Sequence, residues 1–435
     1  MRLIRLLKND MAKETCEWVE AQIITAAQAR RICARYGTDY DRVRKGTAGY
    51  NVLIGLGYLF VGLAVITLLG ANWEEIPRAV RMGGLILITV VTQGLGIKYY
   101  MEGRPERAAG IFLLGNLFYG ASIILIAQIY HLGEHMPDGV FWWALGSLPL
   151  GLLIKSPWVT LQALMLGMIW FFMQVDLGFY PALFPVFFAG GIYTLIAGKQ
   201  SMVLFLTVVA AVGIWVEWSL SAFWREGRFF DFYAEHLFVS VALFILLYTF
   251  SHWLNTIRSS KAKDYGALLS LWSLRFGLVL MVVMGFEEPW HDLLDAAFDR
   301  TLSMAVFAGI LAAAALVTAH RIGKSVPVIS LLAVYGLTTG AVLISKDPAH
   351  AHYFQIVYNC MLVAVGIRLI MAGINQGISH YFFLGIAAIL ITALMRYIDL
   401  IGDYIGGAAL FLFFAVLLLG AARFWKKRRH VEERV

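Results

Sequence analysis

The sequence predicts an all-α polytopic membrane protein: a bundle of about 14 transmembrane helices with both termini on the cytoplasmic side. The chain is 60% apolar and only 14% charged, and its mean hydropathy is +0.73, so it has too little polar surface for a soluble protein. Apolar runs that suit a hydrocarbon layer of about 30 Å recur almost without pause. Lys and Arg collect on one side of successive runs, which orients them.

The first 47 residues precede any long apolar run and are predicted to be a cytoplasmic helical segment. Thr25 and Gln28 resemble a capping box that opens a second helix through Arg35, which Gly37 ends. An imperfect apolar face is predicted for the first helix from Leu3, Leu6, Leu7, Met11, Cys16, Trp18 and Val19. The segment is either a hairpin lying on the membrane or the span bundle, or a docking module for a cytoplasmic protein partner.

The bundle is predicted to occupy residues 48–424, in spans that must be helical because only helices satisfy their own backbone in lipid. The predicted spans are 48–71, 82–100, 108–130, 139–154, 158–175, 181–198, 201–219, 237–255, 266–285, 302–320, 326–345, 353–373, 378–397 and 404–424. Between 139 and 219 the loops are very short and Pro149 interrupts a short span. A bundle of 12 spans is therefore the alternative.

The basic residues set the predicted orientation. With the N-terminus inside and Arg275 assigned to that side, 28 of the 35 Lys and Arg residues fall in inner segments. The basic residues left on the outer side are Arg78, Arg81, Arg225, Arg228, Arg300, Lys346 and Arg396. The tail 425–435 is predicted to be cytoplasmic and to contact membrane lipids. The charge excess sits beside span ends, so it does not indicate a nucleic-acid partner.

Asn72–Arg81 is the first polar motif on the predicted outer face. Pro77 suits the first turn of the returning helix, and Trp73 suits the membrane interface. Arg78 and Arg81 are three positions apart and therefore share a helix face. They are either an interfacial anchor that pairs with the neighbouring glutamates, or a binding pair for a phosphate or carboxylate.

Two further outer motifs complete the predicted binding site. Gln128 closes the third span, and with Asn116 it needs polar partners inside the bundle. Arg396 and Asp399 are three positions apart near the end of the chain and either pair with each other or join the site.

Two charges lie deeper in predicted spans. Arg275 near the middle of its span should face a partner or a wet cavity, because a central charge costs about 2.5–3.5 kcal/mol. Glu217 is the nearest acidic candidate by depth. Either a structural ion pair or a transport path explains these two residues.

Sequence motifs of soluble enzymes and metal sites are missing. The chain has no P-loop, GxSxG, HExxH or Gly-rich nucleotide motif, so an enzyme is disfavoured, no catalytic residue is assigned and no cofactor is expected. The pairs His131/His135 and His350/His352 have spacings that zinc uses, but their loop settings do not favour a metal site. Cys16, Cys33 and Cys360 form no disulfide framework.

Several stretches together resemble one family of bacterial membrane proteins. They are the helical start with Trp18 and Gln28, ANWEEIPRAVR at 71–81, GASIILIAQIYHL at 120–132, FWWALGSLPL at 141–150 and, more loosely, RYIDLIGDYIGGAALFLFFAVLLL at 396–419. The chain resembles domain-of-unknown-function family 2157. The resemblance implies a multi-pass protein of the bacterial inner membrane and implies no activity.

Two hypotheses of function follow. The leading one is that the protein binds or transports an amphipathic or anionic solute, such as a lipid-linked one, through a site at the outer face. The alternative is a non-transporting scaffold or assembly factor that docks a partner through residues 1–47.

Overall fold

The computed structural model describes residues 8–36, 77–130, 136–345 and 347–399, with a few isolated positions outside these ranges. The described residues form 15 α-helices and no strand, so the all-α prediction is confirmed. The helices of the first half are α1 Lys8–Glu20, α2 Ala26–Arg35, α3 Arg78–Met101, α4 Pro105–Tyr130, α5 Met136–Leu153, α6 Pro157–Asp176, α7 Pro185–Ala197 and α8 Met202–Trp224. Those of the second half are α9 Ala234–Leu254, α10 Ser260–Val283, α11 Glu288–Asp295, α12 Thr301–Arg321, α13 Ser325–Ser345, α14 Ala351–Gln376 and α15 Ser379–Asp399.

Ten of these helices are long and apolar enough to cross a membrane. They coincide with ten predicted spans, while the predicted spans 48–71 and 404–424 lie outside the described residues. The predicted spans 139–154 and 181–198 correspond to α5 and α7, which are not among the ten. Helix α7 has 13 residues and is about 20 Å long, which is short for a hydrocarbon layer of about 30 Å. The multi-span architecture is shown, and the count of 14 stays a prediction.

Pro149 does not break its helix. Helix α5 runs through it and ends at Leu153, so only the last turn lies beyond the proline. A proline there removes one backbone hydrogen bond near a helix end, and the close packing of α5 along α6 holds the remaining turn in place.

The chain divides into two compact units. The central unit is Asp39–Tyr233, and the split unit combines Met1–Thr38 with Ala234–Val435. In the central unit the helices pair along the sequence, α3 with α4, α5 with α6 and α7 with α8. Aromatic rings fill the spaces beside glycines, since a methyl group added at Gly120 would overlap the ring of Trp143 and one added at Gly146 would lie 2.5 Å from that of Tyr119.

The split unit packs α9 against α10 and α12, and α14 against α15. Small residues bring these helices close together, as expected for membrane bundles. Ala315 and Ala319 of α12 are fully buried beside Ile245 of α9. In the α14–α15 pair, a methyl group added at Gly385 would lie 2.5 Å from the carbonyl oxygen of Gly366.

The amino-terminal hairpin has a small core of its own. Thr25 caps α2 in a complete capping box with Gln28, so the predicted second helix and its start are confirmed. The Thr15 hydroxyl lies 3.3 Å from the Cys33 sulfur, and both side chains are fully buried. The face of α1 that packs on α2 carries small side chains, Ala12 and Thr15. Trp18 lies outside this face and is 36% exposed.

Candidate functional site

Arg396 of α15, one of the predicted site residues, lies in a polar cluster with the chain that follows α10. Its guanidinium donates to the Gly285 carbonyl oxygen at 2.8 Å. When the Gln355 amide is oriented with its oxygen toward the guanidinium, both terminal nitrogens of Arg396 donate to it at 2.9 Å. The opposite orientation would set donor against donor, so this one holds. Arg396 therefore ties α15 to α14 and to the end of α10.

Two more donors bind the same stretch of backbone. The Asn359 amide donates to the Gly285 carbonyl at 2.9 Å, and the Trp290 indole donates to the Met284 carbonyl at 2.7 Å. Carbonyls at a helix end have no partner within the helix. In the cluster of Arg396, Gln355, Asn359 and Trp290, which we call the α10 clamp, Arg396, Asn359 and Trp290 satisfy these carbonyls from three other helices. Gln355 holds the guanidinium of Arg396.

The other predicted outer-site residues are placed by their backbone alone. Arg78 opens α3 directly after Pro77 and Arg81 lies in its first turn, so the helix starts where the sequence predicts. Gln128 lies in the last turn of α4 and Asp399 ends α15. The side chains of these residues and the whole of Trp73 lie outside the described residues.

These residues are divided between the units. Arg78, Arg81 and Gln128 belong to the central unit, and Arg396 and Asp399 to the split unit. Their convergence into one site stays a prediction.

The two intramembrane charges also belong to different units. Arg275 of α10 is exposed, and its guanidinium lies 5.5 Å from the centre of the Trp272 ring. Glu217 is half-buried on α8 of the central unit.

Three amide side chains form a chain of hydrogen bonds through the interior of the central unit. Gln93 of α3 donates to Asn116 of α4 at 3.0 Å, and Asn116 donates to Gln162 of α6 at 3.0 Å. The Trp143 indole of α5 adds a bond to the Asn116 carbonyl at 2.7 Å. The prediction that Asn116 finds partners inside the bundle is confirmed. Apolar periodicity gives no sign of Gln93 or Gln162 as those partners.

A shallow pocket of about 460 Å³ opens where α6 gives way to α7. Its lining consists of Trp170, Gln174, Phe179, Tyr180, Pro181, Ala182 and Leu183. The Trp170 side chain is only 6% exposed, and its indole N–H has no acceptor in the described part of the chain. The Tyr180 hydroxyl is held by the Ser219 hydroxyl at 2.6 Å. We call this the aromatic pocket.

Two arginines hold the chain that leads into the aromatic pocket. Arg225 donates to the Gly178 carbonyl at 3.2 Å and Arg228 to the Leu177 carbonyl at 3.1 Å. Gly178 has φ of +82°, a conformation that favours glycine. The guanidinium groups stay exposed and also lie over Phe230 and Phe229. Sequence alone marks both arginines as outer basic residues without assigning them to a site.

Aromatic side chains of α6, α7 and α8 pack against one another near the residues that line the pocket. Phe171 packs on Trp218 with ring centres 6.0 Å apart, and Phe188 packs on Trp215 at 5.7 Å. The indole N–H groups of Trp215 and Trp218 are buried without an acceptor in the described residues. Such donors are uncommon in a well-satisfied interior. The region therefore combines an apolar interior with three buried indole N–H groups that have no acceptor in the described residues.

Histidine does not form a metal centre in the described ranges. His350 Nδ1 lies 2.7 Å from the Ser345 hydroxyl and His352 Nδ1 lies 2.9 Å from the Ala349 carbonyl. Among the described residues no group of three His, Cys, Asp or Glu side chains is placed to hold a metal ion. His131 and His135 lie outside them.

Part of the chain is similar to a family of known sequences. Residues 16–160 match the sequence model of a family described as predicted membrane protein, domain-of-unknown-function family 2157. The match runs from within α1 to the start of α6 and includes Gln93, Asn116 and Trp143 of the amide chain. No curated protein and no solved structure matches the chain. With its many apolar helices, the chain is a multi-pass membrane protein.

Proposed function

We propose that this chain, whose residues 16–160 match a family of predicted membrane proteins, binds an amphipathic molecule with an anionic head group. The aromatic pocket carries the proposal, because an aromatic wall, an unpaired buried indole donor and two exposed guanidinium groups occur around one short segment. Small-molecule sites commonly combine an apolar lining with a few fixed polar groups.

The chemistry of the pocket suits a lipid or lipid-linked solute. Aromatic rings are favoured at the level of lipid head groups, where one side of the ring meets hydrocarbon and the other meets water. Gln174 and the Trp170 indole N–H supply hydrogen bonds for ester or sugar oxygens. Arg225 and Arg228 supply the positive charge that a phosphate or carboxylate requires.

The location agrees with the orientation that the basic residues predict. With the N-terminus inside, the segments around Phe179 and Arg225 face outward, where the sequence predicts a site. The bacterial inner membrane is the proposed location, with transport of the bound molecule as the proposed use. The pocket is built from residues other than those predicted.

Binding of dodecyl phosphate to the full chain in phosphatidylcholine nanodiscs tests the proposal. Trp170→Phe removes one donor and should weaken binding about fivefold, as expected for the loss of one hydrogen bond. Trp158→Phe is the matched control, because Trp158 lies on the same helix and is 56% exposed outside the pocket. Equal affinities of the wild type and Trp170→Phe would contradict the proposal, as would equally tight binding of uncharged dodecanol.

The predicted anion pair Arg78 and Arg81 has its own test. If these arginines contribute to the same outer site, Arg78→Ala and Arg81→Ala should each weaken dodecyl phosphate binding while the thermal unfolding of the protein is unchanged. Unchanged binding in both variants would confine the site to the aromatic pocket.

A second candidate function, a scaffold that docks a cytoplasmic partner, is favoured by the amino-terminal hairpin. Ala12, Thr15, Ala29 and Cys33 are fully buried in its core, yet Trp18 and Ile23 stay 36% and 69% exposed. Exposed large apolar side chains on a small hairpin suit a partner surface.

Removal of residues 1–47 tests the scaffold hypothesis. The truncated chain should lose a partner that cross-links to the full chain in native membranes, and Trp18→Ala with Ile23→Ala should lose the same partner. The control is Arg31→Ala on the neighbouring helix. Retention of the partner by the double variant would reject this surface.

A further inference from the structure

Arg275 lies within a transmembrane helix, yet its side chain is exposed on the surface of the split unit. Its guanidinium lies 5.5 Å from the centre of the Trp272 ring on the same helix, and no described carboxylate lies within ion-pair distance of it. A guanidinium that faces hydrocarbon costs at least about 2.5–3.5 kcal/mol. The side chain therefore requires a counter-charge from its surroundings.

The depth of Arg275 follows from the packing of α10 on α15. Leu278 of α10 packs with Ala388 of α15, and Gly285 meets Arg396, so the two helices run in the same direction. Ala388 lies about 13 Å along α15 from its first residue, Ser379. Arg275 is one turn closer to that end than Leu278, so its Cα lies about 9 Å inside the end of α15.

The side chain of Arg275 covers this remaining distance. Arg275 is close enough for its charge to act on His380, the second residue of α15. A long basic side chain that bends toward the head-group region while its stem lies along apolar surface is the known way to place arginine in a span. The guanidinium thus reaches the membrane boundary at the α14–α15 turn.

A second arginine reaches the same level from α14. Arg368 is exposed on α14, and Gly366 and Gly373 on either side of it lie against Gly385 and Phe382 of α15. The rings of Tyr381 and His380 are 4.4 Å apart. In the described residues no carboxylate lies within ion-pair distance of Arg368 either. Arg275, Arg368 and His380 therefore lie level with the first two turns of α15.

We infer that Arg275, Arg368 and His380 bind the phosphate of an anionic phospholipid from the leaflet that meets the α14–α15 turn. Trp272 and Tyr381 lie beside the charged groups, where aromatic rings suit the head-group boundary. A lipid is the occupant because the stem of Arg275 starts inside the hydrocarbon layer and its charge ends at the phosphate level. This site is on the split unit and does not depend on the aromatic pocket.

Native mass spectrometry of the full chain in detergent, titrated with phosphatidylglycerol, tests this inference. The variant Arg275→Gln with Arg368→Gln should bind phosphatidylglycerol at least tenfold more weakly at its tightest site. The matched control is Arg321→Gln with Lys324→Gln, two exposed basic residues at the α12–α13 turn, which should leave that site intact. An equal loss of phosphatidylglycerol affinity in the control would mean that binding depends only on the general basic charge of the protein, and it would overturn the inference.

Two added measurements keep the test independent of folding and of the source of the phosphate. Phosphatidylglycerol should raise the midpoint of thermal unfolding of the wild type and not that of the double variant, since a ligand stabilises only the state it binds. Millimolar inorganic phosphate should not displace the lipid. Displacement by phosphate, or unchanged lipid affinity in the double variant, would overturn the site, whereas failure of Trp170→Phe to affect dodecyl phosphate binding would leave it standing.

Discussion

The guanidinium of Arg396 donates to the carbonyl oxygen of Gly285 at 2.8 Å, across 111 positions of the sequence. The bond joins the last turn of α15 to the chain that leaves α10. Because Asn359 donates to the same oxygen, one carbonyl connects three helices. A charge that sequence marks as a candidate ligand-binding group therefore also has a structural role.

Replacement of Arg396 by Met should destabilise the split unit by about 2 kcal/mol, since hydrogen bonds to charged groups contribute about 1.5–3 kcal/mol. Arg396→Lys should recover little of this, because one ammonium does not reproduce the planar fork that meets Gly285 and Gln355 together. Thermal unfolding in detergent measures both. Arg321→Met, at an exposed helix end, is the control, and an equal shift in that variant would argue against the clamp.

The close contact of Gly120 with Trp143 predicts a packing defect. Gly120→Ala should cost about 1–3 kcal/mol, because the ring and the helix must separate to admit a methyl group. Gly94→Ala is the matched control, since a methyl group at Gly94 meets nothing within 4 Å. That control should be neutral or stabilising by up to about 1 kcal/mol. The midpoint of thermal unfolding should fall in Gly120→Ala and stay constant or rise in Gly94→Ala. A fall of both midpoints would refute the contact.

The amide chain predicts energetic coupling between Gln93 of α3 and Asn116 of α4. Asn116→Leu removes the shared partner of Gln93 and Gln162 and should cost about 1–3 kcal/mol, because both amides lose a bond in the interior. Gln93→Leu added to Asn116→Leu should cost less than the sum of the two single changes. The free energies of unfolding of the wild type, the two single variants and the double variant, measured in detergent, give this double-mutant cycle. Strict additivity would show that the two side chains act independently.

The α14–α15 pair predicts sensitivity at Gly385. Gly385→Ala places a methyl group 2.5 Å from the Gly366 carbonyl, so the helices must move apart and lose their close packing. Gly340→Ala on α13 should be tolerated because nothing lies within 4 Å of that position. The rate of disulfide formation or chemical cross-linking between α14 and α15 should fall in Gly385→Ala and not in Gly340→Ala. Equal rates in the two variants would reject the close approach.

The helices could be predicted because their signals are local. Apolar length sets the spans, and the Thr25–Gln28 capping box sets the start of α2. The partners of polar residues could not be predicted, because they depend on how each helix is rotated toward its neighbours. Asn116 is satisfied inside the bundle, as the sequence predicts. Its partner Gln162 lies 46 positions away, and hydropathy does not identify it.

The α10 clamp and the aromatic pocket show the same contrast between local features, which the sequence predicts, and contacts between distant residues, which it does not. Pairing of Arg396 with Asp399 is a local hypothesis that uses helix spacing. The observed acceptor, Gly285, is a backbone carbonyl that sequence does not distinguish from any other. Arg225 and Arg228 are visible as outer basic residues, yet their contact with the carbonyls before Phe179 depends on how two distant loops fold.

Because the amide chain joins helices that are synthesised one after another, it implies an order of assembly for the central unit. Gln93 and Asn116 are 23 positions apart and bond within the α3–α4 hairpin, so these two amides can enter the membrane already joined. The nitrogen of Asn116 still lacks its acceptor, which arrives only with Gln162 on α6. Until then the hairpin holds a polar group facing lipid. The hairpin should therefore stay beside the insertion machinery until α6 emerges from the ribosome.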